Sequence, residues 1–122
     1  MTDAAVRATT HTNLTVLAGT AVKFGCETDN GSNIRWNFIS PRLSIPLILF
    51  NGYRVHGIVA SKVSVNTTET WNEITVRDVT ADDSGEYSCH QIEDTSNEVI
   101  FHLRVEGTSF SRIISLTHNY NL

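Results

Sequence analysis

The sequence predicts an all-β domain, an antiparallel sandwich or barrel, on three observations. Apolar residues alternate with polar ones along several short runs, the period of a half-buried strand. Polar turn segments separate these runs at intervals of roughly 8–12 residues. No window carries an apolar stripe at helical spacing. A chain of 122 residues is the size of one core.

The elements follow in order. Leu14/Val16 and Val22/Phe24/Cys26 flank a turn at Ala18-Gly19-Thr20. Ile34/Trp36/Phe38 form the third run, after the turn-rich Asp29-Asn30-Gly31-Ser32-Asn33. Leu47-Ile48-Leu49-Phe50 is the fourth, closed by Asn51-Gly52. Val63/Val65, Ile74/Val76 and Tyr87/Cys89 come next, and Val99/Phe101/Leu103/Val105 end the series. Residues 1–12 read as a flexible N-terminal segment and 13–106 as the domain. Residues 107–122, with the apolar-rich stretch from Thr108 to Leu116, read as a linker, a stem or the start of a following domain.

Composition excludes several classes. At 40% hydrophobic and 18% charged, with 7 Gly and 2 Pro, the chain is neither disordered nor collagen-like. Its net charge is -4, and its 9 basic residues are scattered among 13 acidic ones, so it carries no nucleic-acid footprint. The longest charge-free apolar stretch, Leu43 to Tyr53, contains Pro46 and Asn51 and is too short to span a bilayer. The opening Met1-Thr2-Asp3-Ala4-Ala5 has neither the basic nor the apolar region of a signal peptide. A cytosolic protein and an ectodomain excised from a longer chain both fit.

Cys26 and Cys89 lie too far apart for a C-x-x-C redox or zinc element. Two buried thiols and one disulfide both remain open at this point. Three N-x-S/T acceptors, Asn13-Leu14-Thr15, Asn30-Gly31-Ser32 and Asn66-Thr67-Thr68, favour a secretory route.

Cys26 and Cys89 share inward parity, Trp36 follows the first, and Tyr87 shortly precedes the second in Asp83-Ser84-Gly85-Glu86-Tyr87-Ser88-Cys89. This D-S-G-x-Y-x-C stretch joined to C…W resembles the immunoglobulin superfamily. Ile74-x-Val76-x-x-Val79 is similar to the family's E-strand pattern. The resemblance implies a Greek-key β-sandwich of V-type with a C′ strand, shading toward the intermediate set. It implies a cross-sheet Cys26–Cys89 disulfide packed on Trp36, and a tyrosine corner at Tyr87. From Trp36 through Pro46-Leu47-Ile48-Leu49-Phe50 to Lys62, Ile74, Asp83 and Cys89, the register looks like an antibody light-chain variable domain. That register implies a Lys62–Asp83 salt bridge and leaves Tyr53 to Ala60 for a C″ segment. The resemblance covers Leu14 to Glu106. The loop between Cys26 and Trp36 is short, as is the F–G loop at Asp94-Thr95-Ser96-Asn97, and no F-G-x-G motif precedes the last strand. These departures point away from an antigen-receptor chain and toward an adhesion or innate receptor domain.

Motifs for chemistry are absent: no phosphate loop, G-x-S-x-G elbow, H-E-x-x-H or EF-hand occurs. No catalytic residue, metal or cofactor is expected. Asp82-Asp83 resembles an acid–base pair, but strand or turn neighbours point apart, and a salt bridge from Asp83 beside a solvated Asp82 accounts for both. His11, His56 and His118 sit in separate polar segments. If the F–G hairpin turns about Thr95-Ser96, His90 falls across from His102, where the two hold a metal, make a pH-sensitive contact or simply stand exposed on a sheet face.

Parity and the family register place Asn37, Ile39, Ile45, Leu47, Phe50, Ser88, His90, Ile92, Ile100 and His102 on the outward face of strands G, F, C and C′. Ile39, Ile45, Leu47, Phe50, Ile92 and Ile100 are large and apolar, whereas a face meeting only water alternates to polar residues. A contiguous apolar patch marks a partner surface, unless the 107–122 tail covers it or the C′ parity is off by one. In V-type domains partners dock on this same face, so the resemblance points the same way. The expected function is therefore an extracellular protein-binding module of a cell-surface adhesion or immune-type receptor. Its partner is another immunoglobulin-type protein or a second copy, with no nucleic acid and no membrane insertion by this segment. The rivals are a soluble recognition molecule binding carbohydrate or microbial ligands through its loops, and an intracellular structural immunoglobulin domain.

Overall fold

Alternation leaves each strand with one apolar side, and two sheets facing each other bury those sides together. The computed structural model describes residues 10–28, 33–93 and 98–107. Within them run β1 Thr10–Leu17, β2 Val22–Glu27, β3 Ile34–Ile39, β4 Leu47–Phe50, β5 Val63–Thr67, β6 Trp71–Val76, β7 Gly85–Gln91 and β8 Glu98–Glu106. They form a five-stranded sheet in the order β1-β8-β7-β3-β4 and a three-stranded sheet in the order β2-β6-β5. This is the expected all-β sandwich of immunoglobulin type, with β8, β7, β3 and β4 as the G, F, C and C′ strands. Strand β1 starts at Thr10, inside the stretch read as the N-terminal segment, and runs parallel to β8 with Leu14 opposite Leu103. No helix among the described residues is long and apolar enough to cross a membrane.

Two links join the sheets at the centre. Cys26 on β2 is bonded to Cys89 on β7. Beside them, the Trp36 indole N–H on β3 donates to Asn72 Oδ1 on β6 at 2.7 Å, with both side chains buried. The ladders make these neighbours: Cys26 is the partner of Asn72, and Trp36 the partner of Cys89. Asn72 is in turn held by donating Nδ2–H to Thr67 Oγ1 at 3.0 Å. Phe24, Ile74, Val76 and Val79 complete the fully buried layer, and Phe24 packs against Tyr87 and Phe101 at ring-centroid distances of 4.8 and 4.9 Å.

The lower end is fixed by polar contacts. Ala81–Asp83 forms a single 3₁₀ turn with a capping box: Asp82 N–H donates to Thr80 Oγ1 and Thr80 N–H to Asp83 Oδ2. Lys62 Nζ lies 2.7 Å from that Asp83 oxygen and also donates to the Asp78 carbonyl. Tyr87 closes the corner by donating its hydroxyl to the Asp83 carbonyl at 2.6 Å. Burial, and then the Asp83 charge, push the Tyr87 phenol well above its ordinary value of 10.0. Beyond β4 the expected C″ segment is reduced to one bridge, Phe50 with Val55, followed by a 3₁₀ turn at Gly57–Val59.

Two outcomes follow for stability. Asn72→Ala strands the buried Trp36 N–H without an acceptor and should cost about 2–3 kcal/mol in chemical denaturation. For Tyr87, the unfolded chain releases its phenolic proton near the ordinary value while the folded chain keeps it. The folded state therefore binds more protons above that pH, and stability falls as pH rises. Between about pH 9 and 11 the denaturation midpoint of wild type should drop more steeply than that of Tyr87→Phe; parallel slopes would contradict the account.

Candidate partner-binding face

The outward face of the five-stranded sheet follows from three ladders. Its central row runs Ile48, Asn37, Ser88, Ile100 and His11 across β4, β3, β7, β8 and β1. A second row places Arg35, His90 and Glu98 side by side. A third places Ile39, Glu86, His102 and Asn13. Asn37, Ile39, Ser88, His90, Ile100 and His102 thus share one face of the sheet.

Several expectations need correction. His90 does not oppose His102; the ladder pairs His90 with Glu98, and His102 with Glu86. The pairing is centred earlier than Thr95-Ser96. The offset is an even number of residues, which leaves every side chain on its original face, so apolar alternation is blind to it. Phe50 is not an outward anchor but a member of the core cluster, 8% exposed. Leu47 is opposite Phe38 and lines the cavity between the sheets with Leu49, Val59 and Val63, although it remains 36% exposed. A bulge turns Phe50 inward: Trp36 pairs with Phe50, but Asn37 pairs with Ile48, so β4 carries an extra residue there, while Leu47 is inward by simple alternation from Ile48. Ile48, absent from the expected set, takes the outward place.

Burial divides the face. Ser88, His90 and Ile100 are nearly closed off at 4%, 9% and 8% exposure. His90 is satisfied where it stands. Its Nδ1 meets the Gln91 carbonyl at 2.9 Å and so carries the proton, leaving Nε2 to accept from Asn37 Nδ2 at 3.4 Å. His102 instead meets His11, Nε2 to Nδ1 at 3.0 Å, with the ring planes 8° apart. One imidazole donates and the other accepts. Arg35 Nε is buried without a hydrogen-bond partner. Among the described residues no group of three or more His, Cys, Asp or Glu is placed to hold a metal. Asp82 and Asp83 diverge, the first reaching Arg42 at 3.5 Å on the surface and the second Lys62.

Three exposed apolar side chains stand near the β4 border, others being Leu17 on β1, Trp71 on β6, and Leu43. Ile45 just before β4 is 77% exposed, Ile48 38%, and Ile58 beyond the following turn 82%. That turn is anchored: Asn51 Oδ1 accepts from the N–H groups of Tyr53 and Arg54. Gly52 has φ +102° there, and a Cβ on it would come within 2.7 Å of Ile92 Cδ1, so Ile92 packs on the turn instead of standing free. The opposite face of the sandwich, on β2, β6 and β5, presents Lys23, Glu73, Thr75, Ser64 and Asn66, with Trp71 laid over Gly25. Asn13 on β1 and Asn66 on β5 are exposed; Asn30 and residues 94–97 and 108–122 lie outside the described residues.

Of what alternation missed, Ile48 was hidden by the bulge, and His11 by a parallel ladder that no hairpin turn announces. The two β4 positions should separate cleanly under mutation. Phe50→Ala should cost about 3–5 kcal/mol as a core truncation, and Ile48→Ala no more than about 0.5 kcal/mol. Equal losses in denaturant titrations would put the bulge in the wrong place.

Residues 9–106 match the family model of the immunoglobulin V-set domain. No curated protein matches the chain.

Proposed function

The chain belongs to the immunoglobulin V-set family, and on that premise we propose that it is an extracellular protein-recognition module of a cell-surface adhesion or immune-type receptor. V-set domains are typically extracellular recognition or adhesion modules and often bind other immunoglobulin-type proteins. The bonded Cys26–Cys89 pair fits an oxidising compartment. One observation carries the docking surface: the exposed apolar group Ile45, Ile48 and Ile58 stands at the β4 border, where only the Phe50–Val55 bridge continues the sheet. Apolar area of that kind is stabilised by a partner that removes it from water.

The partner is another immunoglobulin domain, with a second copy as the simplest case, because a patch that meets itself closes with two-fold symmetry. Ile48 stands at the end of the central row, next to Asn37 and followed by the buried Ser88 and Ile100. Light scattering across concentration should show self-association of wild type. Ile48→Asp should weaken it at least tenfold, or about 1.4 kcal/mol, while denaturing at the wild-type midpoint. A wild type that stays monomeric excludes the second copy. Undiminished binding of the variant to cells that bind wild type excludes the β4 border itself.

A further inference from the structure

The two strand sequons fall on opposite faces of the sandwich, and the ladders locate each one. In an extended strand residues i and i+2 share a side, so an acceptor Asn and its Thr project together. On β1, Asn13 and Thr15 are both exposed, and Asn13 is the ladder partner of His102. That places it at the β1 border of the candidate face, four strands from β4, or about 19 Å at ordinary strand spacing. On β5, the edge strand of the three-stranded sheet, Asn66 is exposed on the outer face opposite Glu73 of the central strand β6. Thr68 is exposed beyond it, its N–H donating to the Trp71 carbonyl at 2.7 Å.

We propose that Asn13 and Asn66 carry N-linked glycans that shield the β1 border and the outer face of the three-stranded sheet, and leave the β4 border as the open apolar surface. The assignment rests on the reading above that the chain is exported. The donor is a lipid-pyrophosphate-linked oligosaccharide. Asn Nδ2 forms the bond to its anomeric carbon, the bond from that carbon to the pyrophosphate oxygen breaks, and the amide gives up one proton. The surroundings of each sequon suit a hydrated sugar. His11, Thr15, His102 and Glu86 border Asn13, and Ser64 and Glu73 border Asn66. Ile45, Ile48 and Ile58 stand at and just beyond the β4 border, while β1 also exposes Leu17 and the three-stranded sheet exposes Trp71.

The test uses the full chain secreted from mammalian cells in an Asn30→Gln background, so that only the two strand sequons contribute. Peptide mapping by mass spectrometry should find both Asn13 and Asn66 occupied. Hydroxyl-radical labelling of His102 and Trp71 should rise several-fold once an endoglycosidase trims the glycans to their first sugar. Labelling of Ile48, Tyr53 and Ile58 should not change. Trp36 is fully buried, so indole labelling reports Trp71. An unoccupied site in secreted protein overturns the assignment, and occupancy with unchanged labelling of His102 and Trp71 overturns the shielding. Both readouts are independent of the association measured with Ile48→Asp, so failure of docking and failure of glycosylation are told apart.

Discussion

The buried hydrogen bond from Trp36 to Asn72, parallel to the Cys26–Cys89 link, is the constraint on which the remaining structure depends. Four side chains make a frame: two ladder partners on one sheet, two on the other, joined once by a covalent bond and once by a polar one. Hydrophobic burial alone lets facing sheets slide, because it has no direction. The frame removes that freedom. With Trp36 held, Phe38 and the bulged β4 are placed relative to β7, and with Cys89 held, Tyr87 is placed above the Asp83 turn.

What the sequence made legible is what parity governs. Each strand was readable from alternation, because a slip by one residue would expose the whole core. The contacts at Lys62, Asp83 and Tyr87 were readable only by resemblance, since Lys62 lies far from Asp83 in the chain and the Tyr87 contact depends on the conformation of the turn that Asp83 closes. What alternation concealed has two physical sources. An even slip of the β7–β8 hairpin keeps every face intact, so the partner of His102 was misread. A bulge in β4 breaks the period locally, so Phe50 was read outward although it is buried, and Ile48 was passed over. Asn72 was unreadable for a third reason: a polar residue at an inward position looks like an error until its acceptor role for the Trp36 N–H is seen.

The candidate face is accordingly not the uniform apolar sheet that composition suggested. Its centre is small and closed, with Ser88, His90 and Ile100 packed among their neighbours. Its β1 side is polar, with His11 and His102 paired to each other. Its β4 side carries the most bare hydrocarbon, at Ile45, Ile48 and Ile58, with Leu17 exposed at the far end of β1. A surface graded in this way gives a partner a direction of approach as well as an area, because the β4 border gains most on leaving water.

The parallel pairing of β1 with β8 has a mechanical consequence. Thr10 opens β1 beside Val99, and Glu106 closes β8 beside Leu17, so the chain enters the ladder at one end and leaves it at the other. A pull on the flanking segments drags the two strands along each other, not apart sideways. The load is then shared by the ladder's hydrogen bonds at once instead of opening them in turn. A module stretched between two attachments would yield late and abruptly, holding its recognition surface in shape until the whole shear plane fails together.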